Sequence, residues 1–179
     1  MKPAELRSTV QEEMNDWFRT LDRVHPVELI GLWNGNGYPS DHPIDGVLEN
    51  LHWFGKRFHP DKRADALLFK TAPGKLLAVD PAFFPIKWAL RFARIGRTKP
   101  ASNLFTHILP RLRARGTTAA LEERLDAGVM TAAMVYDKQP IVDYFRRTNN
   151  GAIIGKMVVE GEPKRYFFEM QRVGEGSEP

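Results

Sequence analysis

Along the first 24 residues the apolar side chains recur every three or four positions. Leu6, Val10, Met14, Trp17, Phe18 and Leu21 form one stripe, with Glu12, Glu13, Asp16 and Arg19 opposite. That spacing predicts an amphipathic helix that starts near Pro3, stops at His25-Pro26 and lays its stripe against the fold. From Val27 the period changes to two. Leu29, Gly31, Trp33 and Gly35 alternate with Ile30, Leu32, Asn34 and Asn36, which predicts a strand bent by its glycines and ended by Pro39. A short helix over 44–51, a strand over 52–58 and a hairpin of 66–71 with 75–79 are expected next.

Asp80-Pro81 offers a capping carboxylate followed by proline, the start of a predicted helix over 82–95 closed by Gly96. On it Phe84, Trp88, Phe92 and Ile95 form one stripe, and Lys87, Arg91 and Arg94 another. A shorter helix over 102–109 carries Leu104, Phe105, Ile108 and Leu109. Arg111, Arg113 and Arg115 alternate after Pro110. The runs 129–136, 141–147, 152–159 and 165–173 are apolar or alternating and are divided by DKQP, TNNG and EGEP, so the last third reads as antiparallel sheet. Residues 117–126 suit a helix by composition and a strand by position. The tail 174–179 reads as disordered. No repeat or linker divides the chain. An N-terminal helix over 1–25 and one β domain over 26–173, with a helical insertion over 81–116, are expected.

Charge sharpens the picture of that insertion. Of 179 residues, 26 are Lys or Arg and 22 Asp or Glu, but the excess is concentrated. Residues 1–80 hold 10 basic and 12 acidic side chains, and residues 122–179 hold 8 and 10. The 41 residues from Pro81 to Leu121 hold 8 basic groups and no acid. Basic and aromatic stripes on one helix suit an anionic membrane interface. Nucleic acid would also attract this charge, yet no recognised nucleic-acid motif accompanies it, so it is not the expected partner. The chain has no cysteine, which excludes disulfides and thiolate zinc sites. No apolar run approaches the ~20 residues of a membrane span, and the opening residues lack a signal-peptide core. A cytoplasmic address is therefore expected.

Gly31-Leu32-Trp33-Asn34-Gly35 resembles the signature of the GXWXG family, a bacterial domain family without an established reaction. His42-Pro43, Asp45-Gly46 and Trp53-Phe54-Gly55-Lys56-Arg57-Phe58 are similar to its continuation. Residues 131–141, with Asp143, Phe145 and Arg146, resemble the uncharacterised C-terminal domain that accompanies it. A Gly-x-Trp opening strand is also similar to that of lipocalin and fatty-acid-binding (calycin-type) barrels, where it lies at the closed end and its Trp packs on the final strands. The string GLWNGNGYP looks like the first strand of the haem-binding nitrobindin relatives. These resemblances imply a mainly β fold: one antiparallel calycin-like β-barrel with an N-terminal helix, a helical lid and room for one small ligand.

A haem barrel of that kind takes an axial histidine from its later strands, whereas His25, His42, His52, His59 and His107 all precede residue 108. No haem or other cofactor is expected. His42, Asp45, His52 and His59 lack recognised ligand spacing and read as a helix-capping loop, so no metal is expected either. On the final strand Tyr166, Phe168, Met170 and Arg172 share a face that could hold a lipid tail and its anionic head, or simply pack the core. Tyr136, Asp137, Asp143 and Arg146 could meet across a hairpin.

The expected function is non-enzymatic binding or carriage of a hydrophobic or lipid-like molecule. In that reading Trp33 seals the barrel, Trp88 and Phe92 gate it, and Lys87, Arg91 and Arg94 meet an acidic head group or an anionic bilayer. Tyr136, Arg146, Tyr166, Phe168, Met170 and Arg172 complete the expected site. Two alternatives remain: an enzyme using Tyr136, Asp143 and Arg146 on a small apolar substrate, and a basic module for an acidic partner.

Overall fold

The period-two segments pair into one antiparallel sheet that closes on itself. The computed structural model describes residues 3–174, with side chains from Val10 onward; the tail expected to be disordered falls, from residue 175, outside the described residues. The strands are β1 (Asp22–Arg23), β2 (Gly31–Tyr38), β3 (Trp53–Phe58), β4 (Arg63–Lys70), β5 (Leu76–Ala78), β6 (Ala119–Asp126), β7 (Val129–Tyr136), β8 (Ile141–Arg147), β9 (Ile153–Val159) and β10 (Tyr166–Arg172). Pairing runs β2-β3-β4-β6-β7-β8-β9-β10, and β10 returns to β2 from Phe167↔Tyr38 to Arg172↔Trp33. The result is a calycin-like barrel of eight strands, with β1 added to β8 and β5 to β4. A strand, not a helix, forms over 119–126, because all eight of its residues find partners on β7.

Strand alternation sorts the side chains. Phe58, Phe145 and Phe168 point inward and meet edge-to-face, with ring centroids 5.6 and 6.2 Å apart. Phe167 and Ile154 point outward and are covered by the N-terminal helix α1 (Pro3–Thr20), whose Phe18 is fully buried against them. Met14, Trp17 and Leu21 join that contact, as their spacing predicts. Gln11 locks the helix in place: its amide bonds the Ser40 carbonyl and accepts from the Arg165 N–H at 2.8 Å. The turn α2 (Pro26–Leu29) then leads into β2.

At one end the barrel is sealed. Trp33 is buried, donates from Nε1 to the Leu29 carbonyl at 2.6 Å, and carries the Arg172 guanidinium 4.5 Å above its ring. The same guanidinium donates to the Ile30 carbonyl at 2.6 Å. Glycine at 35 is required nearby, since a Cβ there would lie 2.4 Å from the Trp53 ring.

The other end is covered by helices. β4 pairs with β6 only at Arg63 and Ala64, while its far half, Leu68 to Lys70, pairs with β5. The chain leaves the barrel in that gap. Residues 81–83 make one 3-10 turn, with the Asp80 carboxylate accepting from Ala82 N–H, and α4 (Ile86–Arg91), α5 (Ala93–Gly96) and α6 (Lys99–Ile108) follow. The single helix expected over 82–95 is thus broken. Pro85 cannot donate a helical hydrogen bond and disfavours helical geometry at Phe84. Among the described residues no helix is long and apolar enough to cross a membrane.

Candidate ligand-binding site

The site begins with an irregularity in β3. Trp53 faces the barrel interior, so plain alternation would turn Lys56 outward. The β3–β4 register slips on both sides of Gly55, between Trp53↔Phe69 and Gly55↔Leu68 and again before Arg57↔Asp65. Gly55 adopts φ +151°, and a Cβ there would lie 2.0 Å from the Trp33 carbonyl oxygen. This bulge turns Lys56 into the barrel.

Inside, Lys56 is only 2% exposed and its ammonium is satisfied on all three sides. Nζ lies 2.9 Å from Asp143 Oδ2, donates to the Ala66 carbonyl at 3.0 Å and to the Tyr136 hydroxyl at 3.3 Å. It also sits 5.0 Å from the centre of the Phe168 ring. The Tyr136 hydroxyl in turn donates to Asp143 at 3.4 Å. Burial, reinforced by the neighbouring carboxylate, raises the Tyr136 phenol well above its ordinary value, so it remains a neutral donor. The triangle pairs its charges. It leaves Asp143 Oδ1 and Trp53 Nε1 without hydrogen-bond partners among the described residues.

Above the triangle lies a cavity of about 140 Å³. Trp53, Lys56, Tyr136, Asp143, Tyr166 and Phe168 line its barrel side. Leu48 of α3 (Val47–Asn50) lines its covered side, with Phe84, Ile86, Ala89 and Phe105 from the insertion. Its wall is almost entirely carbon.

The expected site residues divide sharply. Tyr136, Tyr166 and Phe168 come together on the cavity. Met170 is buried deeper in the same core, while Trp33 and Arg172 close the opposite end. Arg146 lies outside the barrel by strand parity: Asp143 and Phe145 point in, so Arg146 points out. There it bonds the Asp126 carbonyl at 3.0 Å and lies 5.7 Å from the Phe18 ring. Trp88 and Phe92 stack on each other on the outer surface at 5.5 Å and do not line the cavity, because α4 and α5 turn Ile86, Ala89 and Ala93 inward instead. Lys87, Arg91 and Arg94 are exposed beside them. Periodicity alone does not single out Lys56. A lone lysine beside a glycine in the apolar run WFGKRF was its only signal.

The histidine loop is built differently from expectation. Asp45 does not cap α3; it accepts from the Ser40 and His42 N–H groups at 2.8 and 3.0 Å. His42 is buried against Tyr166 and accepts the Ile44 N–H at Nδ1, which places its proton on Nε2. Burial, with Lys164 and Arg165 nearby, lowers its pKa to about 4. Among the described residues no three His, Cys, Asp or Glu side chains gather to hold a metal.

Residues 16–74 match the GXWXG protein family, and residues 117–172 match a domain of unknown function, DUF4334. The two matches leave residues 75–116 between them. The GXWXG region supplies β2–β4 with Trp53 and Lys56, and the DUF4334 region supplies β6–β10 with Tyr136, Asp143 and Phe168. The helices of the insertion fall between the two matches and α3 lies within the first, so the cavity draws its wall from all three parts. The chain is also similar to a protein from Thermomonospora curvata of known crystal structure. The two are 23% identical with a TM-score of 0.66, over 96% of this chain and 95% of the other, a likeness of fold. No functionally curated protein matches the chain.

Proposed function

We propose that the protein binds or carries a small, largely apolar molecule in the barrel cavity. The observation that carries this reading is the carbon-lined cavity set directly over a buried Lys–Asp–Tyr triangle. A packed eight-stranded barrel has no structural need of such a space, and an engineered apolar cavity of ~150 Å³ takes up benzene. The size favours a ligand about one ring across, smaller than the lipid tail expected from the sequence. Lys56, Tyr136 and Asp143 supply the polar residues of the barrel-side lining. The test is binding of small aromatic alcohols, such as benzyl alcohol, to the purified protein by ligand-observed NMR. Saturable binding is expected, and Ala89→Phe, which fills the cavity from its covered side, abolishes it. Binding that survives Ala89→Phe at full strength refutes the site.

The outer face of the insertion favours a companion role at a membrane. Trp88, Ile95 and Leu104 are 64, 59 and 61% exposed, and Phe83 and Phe92 are exposed with them. Lys87, Arg91 and Arg94 pair with no acid among the described residues. We propose that this face, which covers the cavity, rests on an anionic bilayer such as the cytoplasmic leaflet. A catalytic use of the triangle is the second reading, favoured by the presence of a lysine, a carboxylate and a phenol on one cavity wall. Turnover of a bound ligand that is lost in Tyr136→Phe, with folding and ligand binding retained, would establish it.

A further inference from the structure

Tyr136 and Pro81 belong to two walls at once. Besides lining the apolar cavity, they line a second pocket of about 320 Å³ with a different chemistry. Its remaining wall comes from Asp80, Phe83, Arg113, the segment from Arg115 to Thr118, Asp137 and Lys138. Both of its carboxylates already have cations: Asp80 takes the Lys138 ammonium at 3.0 Å, and Asp137 takes the Arg63 guanidinium in a two-pronged pair. Arg113 and Arg115 have no acid partner among the described residues. They lie two apart, Arg113 in an isolated bridge to Val79 and Arg115 at a bend, with Ala114 N–H donating to the Ala78 carbonyl at 2.9 Å between them. Both line the pocket.

A pocket with two spare guanidinium groups therefore adjoins an apolar cavity across two shared residues. We infer that the pocket holds the anionic head, a carboxylate or phosphate, of a ligand whose apolar body occupies the barrel cavity. This rests on the cavity reading above and adds the ligand's charged end. The head has no place inside the cavity. Lys56 there is already neutralised by Asp143, and a second anion would meet the unpartnered Asp143 oxygen without a counter-charge. Guanidinium groups suit the head outside, because their planar forks match both carboxylate and phosphate. The basic side chains of α4 and α5 do not line either space. Seating such a ligand requires the Tyr136 ring and Pro81, which line both spaces, to part.

Calorimetric titration of the full chain with matched probes tests this: benzyl alcohol, phenylacetate, benzyl phosphate and inorganic phosphate. One or both charged aromatics are expected to bind at least about tenfold tighter than the alcohol and to compete with it. The carboxylate and phosphate arms identify the preferred head. Arg113→Gln/Arg115→Gln, on an exposed segment, should return the charged probes to the alcohol's affinity while leaving alcohol binding and the circular dichroism unchanged. If the alcohol binds and the charged aromatics bind no tighter, the inference is overturned and the cavity reading stands. Anion binding that neither competes with the alcohol nor responds to Ala89→Phe overturns it as well, marking a separate anion site. If no probe binds, the inference falls together with the cavity reading.

Discussion

Lys56 is the residue whose surroundings say most about the interior. A buried ammonium costs several kcal/mol to desolvate, and its pairing with Asp143 offsets that cost only while both partners are present. Lys56→Met keeps the length and apolar stem of the side chain but strands a carboxylate that is 0% exposed. The variant should lose roughly 3–5 kcal/mol in urea unfolding, and Lys56→Met/Asp143→Leu should recover most of it. A double variant no more stable than the single one would mean that the pair does not hold the interior together. Tyr136, Tyr166 and Phe168 were legible as inward residues because strand alternation is a local rule. Arg146 falls on the outer face despite its neighbours' chemistry, because strand parity and not residue type decides which side a side chain takes. Lys56 was illegible for the opposite reason: the bulge at Gly55 breaks the parity that would have sent it to solvent.

At the scale of the element, the insertion shows how one sequence stripe can face either way. Phe84, Trp88, Phe92 and Ile95 read as one stripe of a continuous helix, with Trp88 and Phe92 as the gate to the barrel. Pro85 breaks that helix, and the shorter pieces bury Ile86 and Ala93 while leaving Trp88 and Ile95 more than half exposed. Exposed aromatics among unpaired cations are what a membrane contact requires. Vesicles containing anionic phosphatidylglycerol should therefore sediment the protein and pure phosphatidylcholine vesicles should not. Each basic group near the surface contributes about 1 kcal/mol, so Lys87→Glu/Arg91→Glu/Arg94→Glu should reduce binding more than a hundredfold. Equal binding to both vesicle types would end the membrane reading, and retention on immobilised DNA instead would favour an acidic partner. The N-terminal helix was read correctly from its stripe, since its amphipathic period is unbroken by proline from Ala4 to Thr20.

For the whole molecule, closure depends on a few long-range ties, and one of them titrates. His42 anchors the loop after β2 against Tyr166 of β10, with Lys164 and Arg165 close enough to disfavour its charge. Asp45 hydrogen-bonds the same loop, and the Lys164 ammonium is 2.7 Å from Asp41. The His42 pKa falls from 6.5 to about 4 on folding, so the unfolded chain takes up its proton first as pH drops. Stability from this group is present above pH 6.5 and is lost as pH falls towards 4. The loss amounts to about 3 kcal/mol. Urea midpoints should fall across that window, and His42→Asn, which keeps an acceptor for Ile44 N–H, should flatten the slope. An unchanged slope would place the acid sensitivity elsewhere.

What the sequence determined by itself was local: the helix, most strands and their inward faces, and the position of the spare positive charge. Each follows from side-chain periodicity or composition within a few residues, whereas the Gly-x-Trp strand at the sealed end was implied only by resemblance to calycin-type barrels. Tertiary structure alone decided which of those faces meet. Barrel closure through β10 and β2, the inward turn of Lys56, the outward turn of Trp88, and the placing of Arg113 and Arg115 beside Tyr136 all depend on register between segments far apart in the chain. One slipped residue in such a register reverses a side chain, and periodicity carries no record of the slip.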